Sequence, residues 1–119
     1  MRRCLKRATE MGARLFRVNV GRAWVGEAER IGPDTVILRN ARPFKAGVPG
    51  MSDLIGWVPV EITPDMVGKT LAVYTAVETK TPRGRASAEQ NQFLDVVSRS
   101  GGRAGIARTD GDLDNILRC

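Results

Sequence analysis

Alternation of apolar and polar positions is clearest over residues 73–80, Val-Tyr-Thr-Ala-Val-Glu-Thr-Lys, which hold β-branched and aromatic residues and neither Gly nor Pro. The pattern predicts a strand. Val73, Thr75 and Val77 share one face, and Ala76, Glu78 and Lys80 share the other. An apolar strand therefore ends in a carboxylate and an amine on one side. After the turn-forming basic loop Thr81-Pro82-Arg83-Gly84-Arg85 the period changes. Gln90, Phe93, Leu94 and Val97 recur at helical spacing, which predicts a helix over residues 87–100 that stops at Gly101-Gly102. Ser87 is its expected N-cap, and Gln90 takes the capping-box position. The apolar members of the stripe must face the sheet, so Gln90 lies on the buried side, near the end of the strand that carries Lys80. A core-facing polar side chain needs a partner. A hydrogen bond to backbone and a contact with Lys80 or a bound phosphate both satisfy that need.

The remaining elements are read in the same way. Cys4, Leu5, Ala8 and Met11 predict a short helix over residues 4–11, stopped by Gly12. Residues 14–20 and 24–28 read as strand, interrupted by Gly21, and residues 35–38 read as another strand after a Gly-Pro-Asp turn. A Gly/Pro-rich loop over residues 45–50 leads to a strand at Asp53-Leu54-Ile55-Gly56-Trp57, which stays extended to Ile62 with an edge or bend at Pro59. Residues 63–68 form either a short helical turn, capped by Thr63 with Pro64 at its first position, or a wide hairpin connection. Asp65 there is read as a capping or solvent-exposed carboxylate. A last strand covers residues 103–107, and a last helix covers residues 110–117, capped by Thr109 or Asp110. The strand-helix-strand passage through residues 87–100 predicts a right-handed parallel crossover. Short connections upstream suit antiparallel pairing. The expected architecture is one α/β domain over residues 1–119, with a central mixed β-sheet flanked by helices.

Composition and charge placement change this picture. Formal net charge is +6, and residues 1–22 account for all of it, with seven basic residues against Glu10 alone. A second basic cluster, Arg83 and Arg85, adjoins Lys80. Such placement suits a polyanionic partner, and it also suits a solvated charged face. Aromatic residues are only 5% of the chain, so base stacking is not expected to dominate a nucleic-acid contact. The chain has no histidine, which removes histidine metal sites and Ser-His-Asp or Cys-His catalysis. Two cysteines, Cys4 and Cys119, sit near opposite ends without metal-ligand spacing. The basic N-terminal stretch lacks the apolar run of a secretory signal, and no stretch reaches the length of a membrane span. A cytoplasmic protein is expected.

The candidate chemistry rests on carboxylates. Glu78 and Lys80 taken alone read as a salt bridge at a strand end. Asp53 supplies a second carboxylate before a mostly apolar segment. If the two strands pair, Asp53 and Glu78 converge on one divalent cation, an arrangement that suits Mg²⁺ with its retained waters and substrate phosphate. Asp53, then Glu78-Thr79-Lys80, then a helix bearing Gln90 resembles the PD-(D/E)XK nuclease pattern. More narrowly the chain resembles the VRR-NUC (virus-type replication-repair nuclease) domain. Arg17-Val18-Asn19-Val20-Gly21 is similar to that family's Arg-x-Asn-x-Gly segment, Gly50-Met51-Ser52-Asp53-Leu54-Ile55-Gly56 to its Gly-x-Ser-Asp-Leu-Ile-Gly segment, and Gly101-Gly102-Arg103-Ala104 to its Gly-Gly turn.

The resemblance implies a restriction-endonuclease-like core and a metal-dependent endonuclease. Asp53, Glu78 and the backbone carbonyl of Thr79 would ligate Mg²⁺ or Mn²⁺, and Lys80 and Gln90 would complete the catalytic set. The family's first-helix glutamate, which contributes to the metal site, has only Glu10 as its counterpart here; an exposed helix residue is the other reading of Glu10. Lys80 would orient the attacking water or offset developing charge. Arg14, Arg17, Arg83 and Arg85 would grip phosphates without reading sequence. Stand-alone members occur in phages and bacteria, form homodimers and act on branched DNA such as four-way junctions, in DNA repair settings. A non-catalytic nucleic-acid-binding module of the same fold, or an assembly protein with a basic arm, would share much of this pattern.

Overall fold

The structure is a computed structural model of the chain, described over residues 1–19 and 21–118. Val20, at the end of the first expected strand, and Cys119 lie outside the described residues. The chain forms two compact units, residues 1–56 and 57–119.

In the first unit, helix α1 (Arg2–Glu10) is followed by strand β1 (Arg14–Arg17). The helix begins two residues earlier than its apolar stripe suggests and closes at Gly12, whose φ of +78° no side-chain-bearing residue adopts cheaply. Strands β2 (Gly21–Arg30) and β3 (Val36–Ala46) form a long antiparallel hairpin. Both exceed the expected segments 24–28 and 35–38. Mixed polar and apolar sequence hid their length, because neither strand buries a face: Trp24, Val36, Ile37 and Phe44 are all exposed. The register shifts between Val25 and Glu27, and opposite this bulge Asn40 adopts a left-handed backbone with φ 51°. Strand β4 (Leu54–Trp57) pairs with β1. A Cβ at Gly56 would stand 1.8 Å from the Arg14 carbonyl oxygen, so the two backbones approach as closely as they do only with glycine there.

The second unit starts with Trp57, whose ring lies 4.8 Å from that of Tyr74 at a tilt of 53°. Between them residues 58–63 leave the sheet, and a 3-10 turn (Pro64–Met66) forms with Thr63 as its cap. The helical-turn reading of this segment therefore holds over the hairpin reading. The Thr63 hydroxyl donates to the Asp65 carboxylate, which accounts for that acid locally. Strand β5 (Thr75–Thr79), helix α2 (Ala88–Arg99), strand β6 (Arg103–Ala107) and helix α3 (Asp110–Leu117) follow. β5 and β6 are parallel, with Glu78 opposite Ile106 and Thr79 opposite Ala107. The parallel pairing across α2 is as expected. Both helices pack on the strand pair. Val97 of α2, 1% exposed, is the one fully buried hydrophobic among the described residues, and Ala76, Leu94, Ala104 and Ile106 on β5, α2 and β6 are half-buried. A Cβ on Gly105 would come within 2.8 Å of Ile116, so α3 sits against β6 with no side chain between them.

Among the described residues the strands pair as three two-stranded sheets, β1–β4 and β2–β3 in the first unit and β5–β6 in the second. Strand pairing is non-local, and hydrophobic alternation within a strand says which face is buried without naming the neighbour. The mixed α/β character stands. No helix among the described residues is long and apolar enough to cross a membrane.

Candidate active site

The end of β5 carries Glu78, and Lys80 follows one residue past the strand. Alternation turns both side chains to the face on which α2 packs. The Lys80 ammonium lies 3.1 Å from Glu78 Oε1, with the two side chains 22% and 28% exposed. At that depth the pair is more than a solvent-screened surface contact. The Lys80 backbone N–H also donates to the Ala107 carbonyl at 3.1 Å, so the parallel ladder continues to the lysine and fixes where its side chain starts.

Helix α2 supplies the third member. Its first turn is a complete capping box: Ser87 Oγ accepts from the Gln90 backbone N–H at 3.1 Å, and Gln90 Oε1 accepts from the Ser87 backbone N–H at 2.9 Å. The other end of the same amide, Nε2, donates to Glu78 Oε1 at 2.8 Å. Chemistry fixes the orientation of this amide at both ends, because its oxygen meets a donor and its nitrogen meets a carboxylate. The partner of Gln90 is therefore neither backbone alone nor Lys80. It bridges the helix cap and the strand carboxylate.

Both contacts fall on Glu78 Oε1. A half-buried carboxylate anchored through one oxygen is a suitable donor for a hard cation. Among the described residues no three or more His, Cys, Asp or Glu side chains gather as a ready-made metal cage. Mg²⁺ does not require one, since it retains waters and takes one or two carboxylates together with substrate phosphate. The donor set of carboxylate and carbonyl oxygens fits such an ion.

The other residues singled out in the sequence are distributed as follows. Asp53, exposed, precedes β4 in the first unit, and its carbonyl accepts from the Val18 N–H at 2.9 Å, which ties that backbone to the chain leaving β1. Arg14 and Arg17 are the two exposed ends of β1. Glu10 is exposed on α1, with its carboxylate 3.4 Å from Arg7 and 4.0 Å from Lys6, both helix neighbours. Arg83 and Arg85 are exposed in the loop between Lys80 and α2. Sequence reading missed Arg108, which directly follows β6 and donates to the Gly84 carbonyl of that loop at 2.9 Å. A cation placed straight after an apolar strand was the one available signal, the same signal that drew attention to Lys80.

At the start of α3, Thr109 is the cap, and Asp112 Oδ2 accepts from the backbone N–H groups of Arg108 at 2.8 Å and Thr109 at 3.2 Å. The Arg108 N–H, first among these, holds the Asp112 carboxyl below its ordinary range.

Residues 5–111 match the model of the VRR-NUC domain family. The chain belongs to this family. The match runs from α1 into α3 and takes in Asp53, Glu78, Lys80 and Gln90. No curated protein and no solved structure matches the chain. VRR-NUC membership makes this a nuclease domain of PD-(D/E)XK-like fold, with the DNA binding that nuclease activity implies.

Proposed function

We propose that this VRR-NUC domain is a Mg²⁺- or Mn²⁺-dependent DNA endonuclease that acts on branched DNA such as four-way junctions. The observation that carries the reading is the half-buried Glu78 carboxylate at the end of β5, held through Oε1 by both Lys80 and Gln90. In this reading Glu78 and the Thr79 carbonyl hold the cation. When bound, such an ion polarises a phosphodiester and makes a water molecule more acidic. Lys80 presents a fixed positive charge to the oxygens that gain negative charge as the phosphodiester is attacked. Gln90 holds Glu78 in one rotamer. Arg14, Arg17, Arg83 and Arg85 grip phosphates, which gives affinity that falls with salt and is indifferent to sequence. Two copies would together cut the paired strands of a junction, so a homodimer, in the cytoplasm of a bacterial or phage-infected cell, belongs to the same proposal. Light scattering with and without junction DNA tests the dimer, and a monomer mass in both states would count against it.

The test of the activity is incubation of purified protein with a labelled four-way junction and a linear duplex, in Mg²⁺, Mn²⁺ or EDTA. Cleavage of the junction with either metal and none in EDTA is the expected result. Binding without cleavage under every condition would instead identify a non-catalytic module.

A further inference from the structure

The C-terminal ends of β5 and β6 gather four cations: Lys80 and Arg108, each next after its strand's last residue, and Arg83 and Arg85 in the loop between β5 and α2. Register places Thr79 opposite Ala107, and the Lys80 N–H carries the pairing one step further. Arg108 thus follows β6 at the level where Lys80 follows β5, and alternation gives it the face that bears Glu78 and Lys80. Its guanidinium spans to the loop and donates from Nη2 to the Gly84 carbonyl at 2.9 Å. Gly84 is the residue between Arg83 and Arg85. The loop's own backbone is turned by the Gly84 N–H, which donates to Thr81, both to its carbonyl at 3.0 Å and to its hydroxyl at 3.1 Å. The backbone of Arg108 is fixed in turn by the Asp112 carboxylate, which accepts its N–H at 2.8 Å. A guanidinium has five donors, and one bond to a carbonyl leaves its charge and most of its donors available.

We infer that Arg108 is a phosphate-binding residue that also sets the position of Arg83 and Arg85, so that Lys80, Arg83, Arg85 and Arg108 act as one phosphate-gripping edge beside Glu78. This rests on the nuclease reading for the identity of the polyanion, the DNA backbone. The clamp on the loop does not rest on it.

Two measurements on Arg108→Ala separate these parts. The side chain is exposed and the substitution leaves both strands intact, so the variant folds. First, DNA binding is followed across a salt titration in EDTA, where nothing is cut. Each phosphate contact contributes about 0.9 to the slope of log K against log salt. Loss of Arg108 alone would reduce the slope by about 0.9, and loss of the loop arginines with it by up to about 2.7. The expected reduction is well above the single-contact value, and Arg83→Ala made in the Arg108→Ala background should change the slope less than it does in the native protein. Second, trypsin is applied without DNA. The bonds after Arg83 and Arg85 should be cut several-fold faster in Arg108→Ala than in the native protein. An unchanged slope overturns the phosphate role, and unchanged cutting at the loop overturns the clamp. If the native protein binds no DNA at low salt, the nuclease reading and the phosphate role fail together, while the trypsin result still decides the clamp.

Discussion

Replacing Gln90 with Leu removes both ends of one bridge while keeping a side chain of similar size. The first loss is the bond from Nε2 to Glu78 Oε1 at 2.8 Å, a hydrogen bond to an ionised group. Such bonds contribute about 1.5–3 kcal/mol, and Glu78 is near enough to water to recover part of that, so the lower end applies. The second is the capping-box bond to the Ser87 N–H at 2.9 Å, which is close to solvent and contributes a few tenths of a kcal/mol. Leu gains a little from its contact with the half-buried sheet face. The net cost is about 1–2 kcal/mol, or a fall in Tm of roughly 4–8 °C for each kcal/mol in a unit this small. The effect on cleavage should exceed what unfolding explains, because Glu78 is free to turn. Removing the partner that orients a metal ligand costs about 10–100-fold in metal affinity or activity. The assay is junction cleavage at 20 °C, well below the variant's Tm, over a titration of Mg²⁺. A midpoint shifted to higher Mg²⁺ with kcat largely recovered at saturation is expected. A Gln90→Leu protein that cuts like the native one at every Mg²⁺ concentration would refute the bridge as an orienting device. A raised KM for DNA with an unmoved Mg²⁺ midpoint would refute it in favour of direct contact with phosphate.

Two further outcomes follow from the geometry. Asp112 accepts the Arg108 N–H in the folded state and its carboxyl is held below the ordinary range, so its contribution to stability is complete above the unfolded carboxylate pKa of about 3.9 and is lost as pH falls through the lower folded value. Asp112→Asn should therefore melt earlier than the native protein at pH 7, and the difference should shrink as the melts are repeated toward pH 2; a constant difference would contradict the assignment. Gly56→Ala puts a methyl 1.8 Å from the Arg14 carbonyl oxygen, which forces β1 and β4 apart. It should cost more than about 3 kcal/mol, at the severe end of single substitutions, and circular-dichroism melts that coincide with the native curve would show that the strands do not pair so closely.

What the sequence made legible divides along physical lines. Local signals carried well. The capping box of α2 was readable from Ser87 and Gln90, because a cap is a contact over three residues and leaves its mark in adjacent letters. The cap of α3 was readable as Thr109 or Asp110, and the structure assigns it to Thr109. The parallel β5–α2–β6 passage was readable because strand, helix and strand each keep a clean period. Glu78 and Lys80 were readable as a pair because they stand two residues apart on a strand. Non-local facts were not legible in the same way. That β4 takes β1 as its partner depends on Gly56 opposite Arg14, forty-two positions away in the chain, and nothing in either segment names the other. The hairpin of β2 and β3 was shortened because its strands bury neither face and so keep no strict alternation. Gln90 was expected on the buried side, but its bond to Glu78 needed the register of helix on strand. Arg108 escaped notice because its bond to Gly84 crosses between two loops.

The central claim is that the Glu78 carboxylate holds the catalytic cation. Its most direct test is Glu78→Gln, compared with the native protein for thermal stability, for junction binding in EDTA and for junction cleavage in Mg²⁺. The change is nearly isosteric, and a neutral amide oxygen is a poorer ligand for a hard cation. The variant should fold, bind the junction in EDTA at least as tightly as the native protein, since a carboxylate that repels phosphate is gone, and lose cleavage by orders of magnitude. A structural salt bridge to Lys80 predicts the opposite pairing, with cleavage lost only as far as folding is lost. A folded, junction-binding Glu78→Gln protein that still cuts at the native rate would contradict the account.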